Sequence, residues 1–162
     1  MTTESVAKPA FLGLLNAISL GESRAGVYLR AWAAVSPDPE LARALAFVAS
    51  RESSHGEVFR QRIERLGFTL REKDDPKAAE QLALVSDPTI SDADKIRRNR
   101  GDTDNNSEGE PEVLKRLDES ITDDMDPLTR ATMQWYVAEE RDSTGILREA
   151  YRAVLARAGA TG

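Results

Sequence analysis

Apolar side chains recur at helical spacing in four stretches of this chain. In the first, Phe11, Leu14, Leu15, Ile18, Ala25, Leu29 and Trp32 fall on one stripe, which predicts a helix over 9–35. Ser36-Pro37-Asp38-Pro39 breaks it, with Asp38 as N-cap and Pro39 at the first helical position of a second helix. That helix, expected over 38–66, turns Leu41, Leu45, Val48, Phe59 and Leu66 inward and stops at Gly67. The short connection makes the two helices antiparallel neighbours. A third helix, over 111–122, carries Val113, Leu114, Leu117 and Ile121 inward. Met125-Asp126-Pro127 closes it and starts a fourth over 127–158, with Met133, Val137, Leu147, Tyr151 and Val154 on its apolar face.

Between the two helical pairs, 68–110 has a different texture. Arg71 to Pro76 is charged and loop-like, Lys77 to Val85 and Ser91 to Arg98 each suit a short helix, and Pro88 separates them. Gly101 to Gly109 is polar and almost free of apolar side chains, a loop composition. Its Asp102-x-Asp104-x-Asn106 spacing matches the opening of a calcium loop. The expected glycine is Ser107, however, and the expected twelfth-position glutamate is Val113, so a solvated loop is the stronger reading. The basic run Lys95 to Arg100, beside an acidic stretch, reads as a solvated surface. The fold class is therefore all-α: one domain, an up-down four-helix bundle with an irregular crossover between helices two and three.

Ionisable side chains interrupt the apolar stripes, and they carry the chemistry. Glu52 and His55, three residues apart, share one face of helix two and lie on its apolar stripe. Glu22 lies four residues after Ile18 and three before Ala25, so a second carboxylate points inward. A carboxylate aimed into a core must be paired, protonated or bound to a cation. The two Asp-Pro turns, Asp38-Pro39 and Asp126-Pro127, stand 88 positions apart, and the same offset carries Glu52 to Glu140, Gly21-Glu22 to Gly109-Glu110, and His55 to Ser143. A duplicated helical hairpin with inward glutamates is how four-helix bundles build a two-metal site, from one Glu on each of two helices and Glu-x-x-His on each of the others. The competing reading makes Glu52 and His55 a hydrogen-bonded core pair backed by Arg51 or Arg141.

Composition narrows the classes further. The chain has 162 residues, enough for one sizeable core, and is rich in Leu, Ala, Glu and Arg. A net charge of −6 speaks against a general nucleic-acid binder. The absence of cysteine excludes disulfides, zinc–thiolate sites and iron–sulfur ligation. Met1 to Pro9 shows no basic-then-apolar signal and no apolar run reaches ~20 residues, so a cytoplasmic protein without membrane contact is expected.

The sequence resembles the ferritin-like superfamily, and within it the rubrerythrin-like branch. Leu20-Gly21-Glu22-Ser23-x-Ala25-x-x-Tyr28 is similar to that branch's first-helix motif, and Glu52-x-x-His55 to its second-helix motif. The likeness is good over 11–66, weaker over 128–158 and poor between. It implies two bound iron ions (or one), with manganese as the other metal, and an oxidoreductase that handles peroxide, oxygen or ferrous iron. It also implies a homodimer and an external electron donor. By position, Glu22 and His55 would each serve one metal, Glu52 and Glu140 would bridge, and Glu110 would be the far terminal ligand. Ser143 replaces the second histidine, Glu110 precedes Pro111 in a position disfavoured within helices, and no cysteine exists to build a rubredoxin-type module. A lopsided two-metal site and a single metal are both compatible with that set. So are a metal-poor bundle acting as a dimeric interaction or small-ligand module, and an oxygenase with an apolar channel ending at Glu22.

Overall fold

Three long helices carry the structure: α1 (Leu12–Val35), α2 (Pro39–Arg65) and α6 (Pro127–Ala160). The computed structural model describes residues 7–100 and 109–160, so the Asp102-x-Asp104-x-Asn106 spacing lies outside the described residues. Three short helices complete it, α3 (Ala78–Ser86), α4 (Asp92–Arg100) and α5 (Glu112–Glu119); no strand occurs among the described residues. The protein is all-α, and the long helices begin and end within a few residues of the positions their apolar periodicity predicts. Among the described residues no helix is long and apolar enough to cross a membrane.

Aspartate caps start two of the long helices. Asp38 Oδ1 accepts from the N–H groups of Glu40 (3.0 Å) and Leu41 (3.1 Å), which otherwise lack partners in the first turn of α2. Asp126 does the same for α6, accepting from Leu128 N–H (3.1 Å) and Thr129 N–H (3.0 Å), and Arg62 of α2 donates to it at 2.9 Å. Each cap is thereby tied to a neighbouring helix, because Arg157 near the end of α6 donates to Asp38.

Helices α1 and α2 run antiparallel and approach closely where two glycines face two serines. A Cβ on Gly26 would lie 3.1 Å from the Ala49 carbonyl, and one on Gly56 would lie 3.0 Å from the Ser23 nitrogen. Only glycine admits that separation. Helix α6 runs antiparallel to α2, since Arg51 meets Asp142 while Arg62 meets Thr129.

The core splits into two apolar clusters. One end gathers Leu15, Ile18, Phe59, Ile63, Met133 and Val137, with Leu117, Ile121 and Phe68 packed against it. The other gathers Trp32, Leu41, Leu45, Val85, Ile96 and Tyr151. Burying each Leu, Ile or Phe side chain contributes ~1.5–3 kcal/mol of transfer free energy. Helix α4 is fastened to α1 through buried Asp92, which accepts from Trp32 Nε1 and from Ser36 Oγ, both at 2.7 Å. Only α5 departs from its expected packing. It is eight residues long and contacts α6, so Leu114 is buried while Val113, expected inward, is 61% exposed.

Candidate metal centre

The four acidic or imidazole side chains that interrupt the stripes sit between the two apolar clusters. Along α1, Glu22 falls between Ile18 and Trp32; along α2, Glu52 and His55 fall between Leu45 and Phe59; along α6, Glu140 falls between Val137 and Tyr151. One ligand atom from each of Glu22, Glu52, His55 and Glu140 lies within 4.8 Å of the others. The helical seam explains the meeting. Glu22-Ser23-x-x-Gly26 on α1 is repeated as Glu52-Ser53-x-x-Gly56 on α2. Because the helices are antiparallel, each glycine packs against the serine of the other copy, and Ser19 Oγ donates to the Gly56 carbonyl at 2.8 Å. The serine hydroxyls are turned along their own helices, Ser23 to the Ser19 carbonyl (2.8 Å) and Ser53 to the Ala49 carbonyl (2.9 Å). The glutamate preceding each serine is left facing the interior.

His55 is fully buried and bonded on both ring nitrogens. Nδ1 lies 3.2 Å from Glu22 Oε2 and 3.4 Å from Glu140 Oε1, on the side where the carboxylates converge. Nε2 lies 2.8 Å from Glu139 Oε2 on the opposite side. Carboxylates only accept, so without a cation both ring nitrogens donate; Nδ1, on the side where the carboxylates converge, is the one that would give up its proton and offer a lone pair to a cation. Histidine ligands are ordinarily held in this way, with the second N–H on a carboxylate. Trp135 and Tyr136 pack edge-on against the imidazole, each ring centroid 5.1 Å away. Tyr136 also donates its hydroxyl to Glu22 Oε1 at 2.8 Å.

The protein's own groups offset part of the carboxylate charge through protons on Glu52 and His55. Burial, then the neighbouring Glu22 and Glu140 carboxylates, pushes the Glu52 carboxyl up to about 10. Burial alone would lower His55, but the surrounding carboxylates of Glu140, Glu22 and Glu139 outweigh it and raise the imidazole to about 10. Burial likewise opposes ionisation of Glu22, and bonds from His55, Glu52 and Tyr136 overcome it and hold its carboxyl below the usual range. Glu140 Oε1 is buried and, despite its ion-pair approach to His55, makes no hydrogen bond.

The remaining expected participants lie elsewhere. Glu110 stands before Pro111 in the turn leading to α5 and pairs with Arg141, which also meets Asp118 at 2.8 Å, so it is not brought to the cluster. Ser143 is buried on the Glu140 stripe and accepts from Arg51 Nη1 at 3.3 Å; the same guanidinium holds Asp142 at 2.6 Å. Arg51 and Arg141 therefore turn to these partners, and not to Glu52 or His55. Two contributors were not assigned from sequence, Tyr136 and the Glu139 contact to Nε2. Tyr136 lies four residues before Glu140, a spacing that placed it on the same stripe. No protein-family model, curated protein or solved structure matches this chain.

Proposed function

We propose that this chain binds one divalent iron or manganese ion through Glu22, Glu52, Glu140 and His55 Nδ1. In this reading it serves as a ferritin-like oxidoreductase acting on peroxide, oxygen or ferrous iron. The observation that carries the reading is the convergence of three carboxylates and the Nδ1 edge of one imidazole within 4.8 Å, in a layer between two apolar clusters. The donor set fits such an ion. Carboxylate oxygens with a single imidazole suit iron and manganese, and the absence of thiolate disfavours softer metals. Glu140 Oε1, buried without a hydrogen bond, has a vacant acceptor site for it. A single ion is favoured over two because Glu110 and Ser143 provide no second set of ligands beside the first.

Bound iron or manganese would supply one-electron redox chemistry and coordination positions for an oxygen-derived substrate. The chain's own residues prepare the place. Glu139 fixes the imidazole ring and its tautomer, Tyr136 holds Glu22 Oε1 so that Oε2 faces the cluster, and the apolar layers above and below limit water.

Elemental analysis after anaerobic Fe(II) loading and gel filtration tests the reading. One ion per chain in the wild type, lost in Glu52→Ala with helicity unchanged, is the expected result, followed by peroxide consumption with an added reductant. No retained iron or manganese would leave the cluster a hydrogen-bonded core group, and two ions per chain would overturn the single-ion assignment.

A further inference from the structure

Beside the cluster lies a cavity of about 310 Å3 that opens between α1, α2 and α6 under the two crossover helices. Glu52 and Glu140 form part of its wall, and Tyr28, Leu29, Trp32 and Leu147 form much of the rest. Trp32 is stacked on Tyr151 at 5.6 Å and tied to Asp92, so the aromatic wall is held in place by contacts of its own. A volume of this order accommodates a small organic molecule, at the lower end of the ~300–1,000 Å3 usual for ligand sites.

Three features define what would fill it. The walls carry an apolar and aromatic patch, Tyr28, Leu29, Trp32 and Leu147, which suits an organic body, beside the neutral polar side chains of Gln81, Asn99, Ser143 and Thr144. Tyr28 Oη is buried without a hydrogen bond, a costly arrangement unless a guest supplies the partner, and Glu140 Oε1 has only the 3.4 Å approach of His55 Nδ1 and no hydrogen bond. Among the described residues, no lysine, arginine or histidine lines the cavity, and its only charged groups are carboxylates. The site keeps an excess of negative charge in either state: Glu22 and Glu140 outweigh one imidazolium when Glu52 is protonated, and three carboxylates outweigh one divalent ion. An anion meets repulsion there, and a neutral molecule leaves the excess negative charge in place.

We propose that this cavity binds a small primary amine with an aromatic or aliphatic body, its ammonium group at the Glu140 end and its body between Tyr28, Leu29 and Leu147. Tyr28 Oη accepts from the same guest, and the Tyr28 and Trp32 rings add the attraction of aromatic faces for a cation. This goes beyond the metal reading and does not depend on it, since the walls and the unpartnered Tyr28 Oη are the same with or without an ion.

Calorimetric titration of the full chain with 2-phenylethylamine, 2-phenylethanol and phenylacetate tests it, on preparations stripped with chelator and on preparations loaded with Mn(II). Saturable one-site binding of the amine is expected, about tenfold weaker binding of the alcohol, and none of the acid. Tyr28→Phe, which removes only the hydroxyl, should weaken the amine by about three- to tenfold, a typical loss for one hydrogen bond. Leu147→Trp should fill the space and abolish binding. Absence of saturable amine binding, equal affinity for amine and acid, or full binding by both variants would overturn the proposal. If Leu147→Trp does not fold, the Tyr28→Phe result decides alone. Manganese content measured on the same samples keeps the two readings apart: ion uptake without amine binding defeats this proposal only, and amine binding without ion uptake defeats the metal centre only.

Discussion

Ser19 on α1 donates its hydroxyl to the carbonyl of Gly56 on α2 at 2.8 Å, and at that crossing a Cβ on Gly56 would lie 3.0 Å from the Ser23 nitrogen and 3.1 Å from the Ser19 carbonyl. Those neighbours are backbone and cannot swing aside, so Gly56→Ala must separate the helices. Alanine would favour an isolated helix by about 1 kcal/mol, and the forced separation costs about 1–3 kcal/mol. A net loss of up to about 2 kcal/mol is expected from urea unfolding, together with weakened metal uptake as Glu22 and Glu52 move apart. An unchanged midpoint would show that the seam is slack and that the Glu-Ser-x-x-Gly repeat has no structural role.

Glu139 meets the cluster through His55 Nε2 at 2.8 Å, on the side of the ring away from Glu22. Glu139→Gln keeps the shape and offers an amide whose donor and acceptor can both turn to Nε2. Loss of such an outer carboxylate ordinarily weakens metal binding about 10–100-fold. Competition titration of Mn(II) against a fluorescent chelator should register that loss, with the melting temperature of the ion-free protein little changed. Wild-type affinity in the variant would mean that Trp135 and Tyr136 orient the ring unaided.

What the sequence made legible followed from periodicity. Glu22, Glu52, His55 and Glu140 were found because each falls on an apolar stripe, and the structure brings those four together. The 88-residue offset worked for Glu140, which lies in the middle of a long helix, and failed for Glu110, where Pro111 ends helical geometry before the carboxylate can reach the interior. Val113 reads as inward on the same periodic logic, but an eight-residue helix that covers only Leu114 and Leu117 has a narrow inner face. Glu139 escaped because it is one residue off the stripe and acts on the far side of a ring that spans two stripes. The Glu-Ser-x-x-Gly repeat was written in the chain, 30 positions apart, but its meaning required knowing that antiparallel helices set each glycine against the other copy's serine. The cavity is bounded by five helices, and no local pattern encodes it.

The ion-free protein should lose stability as the medium becomes alkaline. Glu52 and His55 are both raised to about 10 in the folded chain, from ordinary values of 4.5 and 6.5. Between those ordinary values and about 10 the folded state holds more protons than the unfolded chain, so stability falls as pH rises. The His55 contribution is fully present below 6.5 and is lost as pH rises through about 10. A bound divalent ion would take the place of those protons, with up to about two released near neutral pH. Thermal melts of chelator-treated protein should therefore decline from pH 7 to 9.5, and Mn(II) should suppress the decline. A flat profile without metal would remove the protonated cluster from the account.

At the opposite extreme of pH the caps decide. Burial alone would raise the Asp126 carboxyl, but the hydroxyl and N–H of Thr129 and then the Arg62 guanidinium outweigh it and draw it down to about 2, from 3.8. A lowered carboxylate stabilises the fold above its ordinary value, and that contribution is lost as pH falls through about 2. The same oxygens cap α6 and bind it to α2, and the carboxylate is partly exposed, so screening limits the ion-pair share. Asp126→Ala should cost about 1–2 kcal/mol at pH 7, the usual loss for a helix cap. Asp126→Asn keeps the capping oxygen and should recover most of that, losing mainly the charge on Arg62. Urea midpoints at pH 7 and pH 2.5 distinguish the cases: the wild-type advantage over Asp126→Asn should shrink at the lower pH, and an advantage that does not shrink would mean that the Arg62 pair contributes nothing.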